Sequence, residues 1–468
     1  MSRKTLWINL SIALVLVLIA AFAGQLHKWQ KQRDTRRALV ATNPDSESGD
    51  ESDSDQTPGK TEILVRFKSG VTRQAIESIT KRFNDEVEDR IEAVEGLEVI
   101  EDEDNKTSDE VVAQYRALSE VEYAEANSEI KLDHDNAGNH VHANDELFFK
   151  QWGLFNHGQD GGKVGADISA MRAWAITKGS DQVVVAVLDS GVDYTHPDLA
   201  NNMWRRPEII KAYQDDDLTD EGAIDDLHGF NVAEGTGDPM DDNGHGTHCA
   251  GIIGAEGGNE MGIAGVNWTV RIMALKFMDA EGAGTTSDAI EAINYVINRK
   301  RAGVNVRVIS ASWGSTMKSR ALEDVIRKAG DEGILLVAAA GNDSSDNDRT
   351  PHYPASYNLD NVISVAAVNR LDELTAFSNY GATSVHVAAP GEAIMSTWLN
   401  HDFQERKGTS MATPFVAGVA ALVLATNPTI PVAELRDRIL KSVDLIPSLK
   451  GKVSTGGRIN AAKAVGAD

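Results

Sequence analysis

The sequence predicts an α/β protein, a mostly parallel sheet covered on both faces by helices, with a smaller α+β unit ahead of it. Three observations carry that expectation. The runs "VVVAVL", "VRVISAS", "ILLVAAA" and "VISVAAV" are continuously apolar, as strands buried on both faces require. Helical stretches such as "TSDAIEAINYVINRK" and "SRALEDVIRKAGDEG" lie between them, and strands alternating with helices build parallel sheets. Upstream, "EILVRF", "TRQAIESITKRF", "LEVIE", "SDEVVAQYRALSEV" and "VEYAEANSEIKL" suggest a strand-helix-strand-strand-helix-strand unit of about 75 residues.

In chain order, "MSRK" precedes "TLWINLSIALVLVLIAAFAG", a basic start and an apolar run ending in Ala21, Phe22 and Ala23, small residues at the spacing used by signal peptidase. Leu6 to Ala23 is also just long enough to cross a bilayer, so residues 1–24 are expected to be a signal peptide or a membrane anchor. The basic flank "HKWQKQRDTRR" resists translocation in either case. The expected location is extracytoplasmic, secreted or anchored to the membrane by residues 6–23. Residues 25–60 contain "NPDSESGDESDSDQTPGK", which has nothing to bury and is expected to be a disordered acidic linker. The small unit follows over 61–135 and the main domain over 145–468.

Composition bounds the function. The 468 residues carry a formal charge of -26, which excludes nucleic acid as the expected partner and suits a surface that holds divalent cations. One cysteine cannot form an intrachain disulfide. No feature calls for an oligomer, so a monomer is expected.

In parallel sheets ligands gather at the carboxyl ends of strands, and the polar residues there deserve the closest reading. "VVVAVL" runs into Asp189 of "DSGVD", which in isolation reads as a cap or turn residue. "DDNGHGTHCAG" places His245 between two glycines at the mouth of a small-residue helix, with His248 and Cys249 close behind as further metal-ligand types. "GTSMATPFVAGVAALVLAT" opens a buried helix at Ser410, beside backbone N–H groups that favour negative charge. The order Asp, His, Ser at strand ends and helix starts is that of one known catalytic triad.

The segments "VLDSGVD", "NGHGTHCAG" and "GTSMATPFVAG" closely resemble the three catalytic signatures of the subtilisin-like serine proteases, over roughly Asn144 to the C-terminus. The resemblance implies a subtilisin-like, parallel seven-stranded-type sheet with helices on both faces, preceded by a small ferredoxin-like α+β propeptide domain. It implies a serine endopeptidase in which Ser410 is the nucleophile, His245 the general base and Asp189 its orienter, with Asn342 of "AAAGN" as the side-chain oxyanion donor. His248 is then a structural histidine, and Cys249 a neighbour that confers mercurial sensitivity rather than thiol catalysis.

The same resemblance makes Ser312, Trp313 and Gly314 of "SASWGS" one rim of a cleft for protein or peptide substrates. It makes Asp343 and His352 walls of the primary pocket, with a cis bond between Tyr353 and Pro354. "ANDELFFKQWGL", "HPDL" and "GNEMGIAG" resemble pieces of the family's structural calcium site, giving Asp145, Gln151, Asp198, Asn259 and the backbone near Met261 and Ile263 as ligands. A further calcium loop is weighed at Asp215, Asp217, Asp225 and Asp226 against a plain solvated loop. Phe415 stands where many relatives have histidine, and a packing difference alone is expected.

The upstream unit resembles the family's inhibitory propeptide, an intramolecular inhibitor expected to be cut off between Asp133 and Asn144. Two other readings stand beside this one: a catalytically silent relative acting as a binding protein, and a zinc-binding domain built on His245, His248 and Cys249.

Overall fold

The computed structural model describes residues 61–91, 94–104, 106–127, 141–214 and 223–467. The leader, the linker, residues 133–140 of the expected cleavage region and the acidic residues Asp215 and Asp217 lie outside them. The chain divides into two compact units, Met1–His134 and Asp135–Asp468.

The N-terminal unit is an antiparallel sheet of β1 (Thr61–Phe67), β2 (Asp85–Arg90), β3 (Leu97–Asp102) and β4 (Val121–Ala126), in the order β2-β3-β1-β4, with helices α1 (Arg73–Phe83) and α2 (Ser108–Arg116). This is the expected alternation of elements. β1 buries alternate residues Ile63, Val65 and Phe67. α1 starts where the Thr72 side chain accepts from the Ala75 N–H (3.3 Å) and stops at Asn84, whose φ of 61° is left-handed. α2 ends at Arg116, earlier than its apolar periodicity suggests, because the chain turns at Ala117 to start β4. β2, "DEVEDR", carries no apolar alternation and pairs at the sheet edge through Val87 opposite Ile100.

In the larger unit the strands are β5 (Gly179–Asp189), β6 (Gly229–Asn231), β7 (Thr269–Lys276), β8 (Val306–Ala311), β9 (Leu335–Ala339), β10 (Val362–Val368), β11 (Val387–Pro390), β12 (Ile394–Trp398), β13 (Asp402–Arg406), β14 (Val443–Leu445) and β15 (Gly457–Ile459). Its helices are α3 (Ala170–Trp174), α4 (His245–Gly254), α5 (Thr286–Arg301), α6 (Arg320–Asp331), α7 (Thr409–Thr426), α8 (Val432–Lys441) and α9 (Ala461–Val465). The main sheet runs β14-β15-β11-β10-β9-β8-β5-β7-β6, parallel at every pairing except β14 with β15. Among the described residues it has nine strands where a seven-stranded type was expected, because the three-residue strands β14 and β6 extend its two edges. β12 and β13 form a separate hairpin.

β5 alternates between two cores. Val185 and Val187 pack with the α4 and α7 side chains, while Val184, Ala186 and Leu188 pack with those of α5 and α6. Among the described residues α7 alone is long and apolar enough to cross a membrane, but 83% of it is buried in this core. Because β5 has β7 on one side and β8 on the other, consecutive crossovers diverge around its carboxyl end and open a crevice there.

In the N-terminal unit Asp85 and Asp102 face each other across β2 and β3, both buried. Burial pushes Asp85 up to about 6; the Tyr115 hydroxyl (2.7 Å) opposes this and the Asp102 charge adds to it. A carboxyl with a raised folded pKa contributes stability that is fully present below its unfolded value and is lost as pH rises through the folded one. Amide hydrogen exchange over 61–127 in the full chain should therefore show protection falling between about pH 4 and pH 6, after correction for intrinsic rates. Asp85→Asn should flatten that fall, and an unchanged pH dependence in the variant would remove Asp85 as its source.

Candidate active site

Asp189 ends β5 and His245 begins α4, and the two meet: His245 Nδ1 lies 2.7 Å from Asp189 Oδ1, which also accepts from the Ser190 N–H (2.8 Å). Asp189 is 1% exposed. Burial pushes the imidazole pKa down, but the charge and hydrogen bond of Asp189, with Asp241 behind, outweigh it and hold His245 above the ordinary histidine value. The approach is set by backbone. A Cβ on Gly246 would sit 2.0 Å from the Gly191 carbonyl oxygen, so only glycine lets the first turn of α4 lie this close to the end of β5.

Ser410 is the second residue of α7, where the backbone N–H has no acceptor within the helix. Its hydroxyl donates to the Ser312 carbonyl (3.0 Å), and the Ser312 hydroxyl donates to the Ser410 carbonyl (2.8 Å). That carbonyl is free because Pro414, four residues on, has no N–H to give it. The Cys249 thiol adds a second contact to it at 3.5 Å.

Asn342 follows β9. Its Oδ1 accepts from the Thr409 N–H (2.8 Å) and hydroxyl (3.1 Å), which fixes the amide and leaves Nδ2 to donate. A Cβ built on Gly408, whose φ is 148°, would lie 3.4 Å from Asn342 Nδ2 and 3.6 Å from Ser410 N, so both donors border one small space. Buried Asn379 holds the loop behind, accepting from the Asp343 and Ser345 N–H groups (2.8 and 3.0 Å).

The residues expected to line the substrate cleft also gather. Ser312, Trp313 and Gly314 continue from β8, and Trp313 packs edge to face on Phe277 at 5.0 Å. His352 lies between two glycines, since a Cβ on Gly314 would meet its Nε2 at 2.3 Å and one on Gly341 its Cγ at 3.2 Å. Burial lowers the His352 pKa, opposed by the charge of exposed Asp343. The Tyr353–Pro354 peptide is cis, as expected.

The six residues expected to bind calcium form one cluster. Asp145 accepts from the Gly258 N–H through both oxygens (3.1 and 2.8 Å), and Asp198 accepts from Asn259 Nδ2 (2.9 Å) and the Ile263 N–H (3.0 Å). Met261 donates its N–H to Asn259 Oδ1 (2.9 Å), and the Gln151 amide pairs with the Ala264 backbone. Burial pushes Asp198 up to about 6, with the Asp145 and Glu256 charges adding to it against two hydrogen bonds. Two buried carboxylates and two amide oxygens drawn from three segments are a donor set that fits a hard cation.

Two other readings are corrected. Asp226 is no calcium ligand: it is fully buried and binds Arg206 (2.8 Å), Arg299 (3.2 Å) and the Tyr295 hydroxyl (2.6 Å), while Asp225 pairs with Arg206 at the surface. Nor does His248 join His245 and Cys249. Its Nε2 faces the carbonyls of Ile394 (3.0 Å) and Gln404 (2.9 Å), and burial pushes it down to about 3. The donors that converge, within 4.8 Å of one another, belong to Asp189, His245 and Cys249. Phe415 is buried against Gly153, the packing role expected.

Sequence reasoning missed Ser190, Asp241, Thr247, Thr409 and Asn379, which position the site through hydrogen bonds. All are polar residues beside glycine-rich turns, and only that placement marked them.

Comparison with known proteins agrees with the geometry. Residues 180–465 match the Subtilase family, Peptidase S8, and residues 45–127 match the Fervidolysin N-terminal prodomain. The chain is 42% identical over 293 residues to the thermophilic serine proteinase of Bacillus sp. strain AK1, covering 63% of this chain and 64% of that protein. It is 37% identical over 307 residues to subtilisin-like protease 2 of Plasmodium falciparum, covering 64% of this chain and 22% of that one. It thus spans less than two thirds of either relative. A protease structure from Pseudoalteromonas arctica superposes with a TM-score of 0.58 at 26% identity, covering 69% of this chain and 99% of that one.

The Cys249 thiol is fully buried, and burial pushes its pKa well up, with the Asp189 and Asp241 charges adding to it. Iodoacetamide at about pH 8 should therefore alkylate native Cys249 on the order of a hundredfold more slowly than the urea-unfolded chain. Equal rates would mean an accessible thiolate and a different role for this residue.

Proposed function

Because the chain belongs to the Subtilase family, we propose that it is a serine endopeptidase made as a zymogen, with Asp189, His245 and Ser410 as its triad. The observation that carries this reading is the 2.7 Å contact of Asp189 with His245 beside the N-terminus of α7. The contact holds the imidazole with Nδ1–H towards the carboxylate, so Nε2 is the basic nitrogen. Ser410 Oγ turns from the Ser312 carbonyl to His245 Nε2, gives up its proton and attacks the scissile carbonyl carbon. The oxygen gains negative charge and lies between Asn342 Nδ2 and the Ser410 N–H, both fixed before reaction. The imidazolium then protonates the leaving amine, and a water activated by the same histidine hydrolyses the acyl-enzyme.

Protein or peptide substrates bind as an extended strand along Ser312–Gly314, with the first pocket bounded by Asp343 and His352. The prodomain match supports an N-terminal unit that inhibits the enzyme until it is cut off. The apolar run Leu6 to Ala23 supports export, with the product secreted or anchored. Calcium would be held by Asp145, Gln151, Asp198, Asn259 and the backbone near Met261 and Ile263, and would tie the start of the mature domain to its body.

Intact mass of the wild type and of Ser410→Ala, both expressed without residues 1–24 and with calcium present, tests the reading. The wild type should shorten to begin between Asp133 and Asp145 while the variant stays whole. If both stay whole and neither hydrolyses an unfolded protein, the triad is silent and a binding role replaces the proposal.

Removing calcium should lower the unfolding temperature of the inhibited mature enzyme, by the equivalent of about 2.7 kcal/mol when free calcium stands a hundredfold above its dissociation constant. Asp198→Asn should abolish the calcium-dependent part. A chelator without effect on the thermal transition would overturn the metal assignment.

A further inference from the structure

Behind His245 lies a second buried carboxylate that the triad does not use. Asp241 is 5% exposed and accepts five hydrogen bonds. Its Oδ1 receives the Ser190 hydroxyl (2.9 Å) and the N–H groups of Asn243 and Gly244 (3.0 Å each). Its Oδ2 receives the N–H (2.9 Å) and hydroxyl (2.6 Å) of Thr247. Ser190 in turn accepts from the Gly246 N–H (3.0 Å), and the Thr247 hydroxyl accepts from the Asp193 N–H (2.9 Å). One side chain thus ties the turn after β5 to the residues on both sides of His245.

We infer that Asp241 is a positioning residue for His245, fixing the first turn of α4 against β5 and stabilising by its charge the imidazolium that forms during catalysis. The inference rests on the endopeptidase reading above. All five donors to Asp241 are uncharged, so its negative charge is not cancelled within its own hydrogen-bond set. Five neutral donors converging on one buried carboxylate place its charge beside the first turn of α4, close behind the His245 ring.

The charges around the imidazole bear this out. β5 contributes Asp189, and the loop before α4 contributes Asp241 and Asp242. β7 contributes Lys276, whose ammonium is bound to Asp242 (2.6 Å) and to the carbonyls of Ser190 (3.0 Å) and Met278 (2.8 Å). α4 contributes His248, held neutral by burial, and the Cys249 thiol, with Arg406 of β13 near His248. α7 presents Ser410, which is uncharged. Lys276 is engaged by Asp242, so two carboxylates, not one, act on His245.

The test is the pH profile of kcat/KM for the mature enzyme. Asp241→Asn removes a charge that favours the imidazolium, so the acid limb, which reports the loss of neutral His245, should move to lower pH. At the plateau kcat should fall on the order of tenfold with KM unchanged. Ser190→Ala removes two of the hydrogen bonds and keeps the charge; it should lower stability and leave the acid limb where it is. Titration of the His245 imidazole by NMR in the Ser410→Ala background gives the same shift without needing activity.

If Asp241→Asn does not fold, Thr247→Val decides, since it strips a donor but keeps the carboxylate. The acid limb should then stay or rise, and a move to lower pH overturns the inference. An Asp241→Asn enzyme with lower kcat and an unmoved acid limb also overturns it, leaving Asp241 a purely structural cap. A wild type with no hydrolysis at all would instead defeat the endopeptidase reading.

Discussion

The active-site geometry depends on how closely one helix can approach the end of one strand. Asp189 is fixed at the end of β5, which is paired on both sides over Val184–Leu188, and His245 is fixed by the first turn of α4. The 2.7 Å between them exists because Gly246 lets the α4 backbone rest against the Gly191 carbonyl. Any side chain at 246 would push the helix off and lengthen the charge-assisted bond, which weakens steeply with distance and angle. The remainder of α4 serves the same approach. Its interior is small or apolar, "GTHCAGIIG", and is buried almost throughout against β5, α7 and the β12–β13 hairpin.

On the other side of the crevice a missing hydrogen bond does comparable work. Pro414 removes the donor that would normally close the first turn of α7 onto the Ser410 carbonyl. A buried carbonyl left alone costs about 1–3 kcal/mol. Here Ser312 satisfies it, and because Ser312 belongs to the segment following β8, the substitute bond ties the helix start to that segment. Thr409 makes the equivalent tie to Asn342 after β9. Ser410 and Asn342 are therefore positioned by contacts between segments rather than by the α7 helix alone. A helix with an intact first turn would have no such claim on its neighbours.

These ties also explain what could and could not be read in the sequence. The main strands were legible because burial on both faces demands unbroken apolar runs, and Asp189, His245 and Ser410 because glycine-rich punctuation and residue order mark them. β2 was expected from the order of elements and not from its own residues: "DEVEDR" lies at a sheet edge, where pairing with β3 and not its own pattern makes it extended. Asp226 misled in the opposite direction. In a run of acids it reads as solvated or cation-binding, yet two arginines and a tyrosine from distant segments enclose it. Asp241 sat in its motif unremarked, since four of its five hydrogen bonds are local turn and helix-start contacts, and only the distant Ser190 hydroxyl ties it to the end of β5. What a residue bonds to across the fold is not periodic, and pattern reading has no access to it.

The same non-local ties place a demand on folding. His245 lies 56 residues from Asp189, and Ser410 lies 98 from the Ser312 that holds it. The turn from Asp241 to Thr247 can form locally, but Asp189, His245 and Ser410 cannot be positioned until loop closure brings their segments together. β5, which lies at the centre of the crevice, pairs only with strands that come much later in the chain, β7 and β8. The N-terminal unit differs, because α1 and α2 connect strands close in sequence and its core is a compact set including Ile63, Val65, Phe67, Ile100 and Tyr115. It can therefore be structured while the parallel sheet is still being assembled. In chain order, a unit of local contacts thus precedes one whose site waits on its slowest contacts, so the first has the shorter path to its folded state.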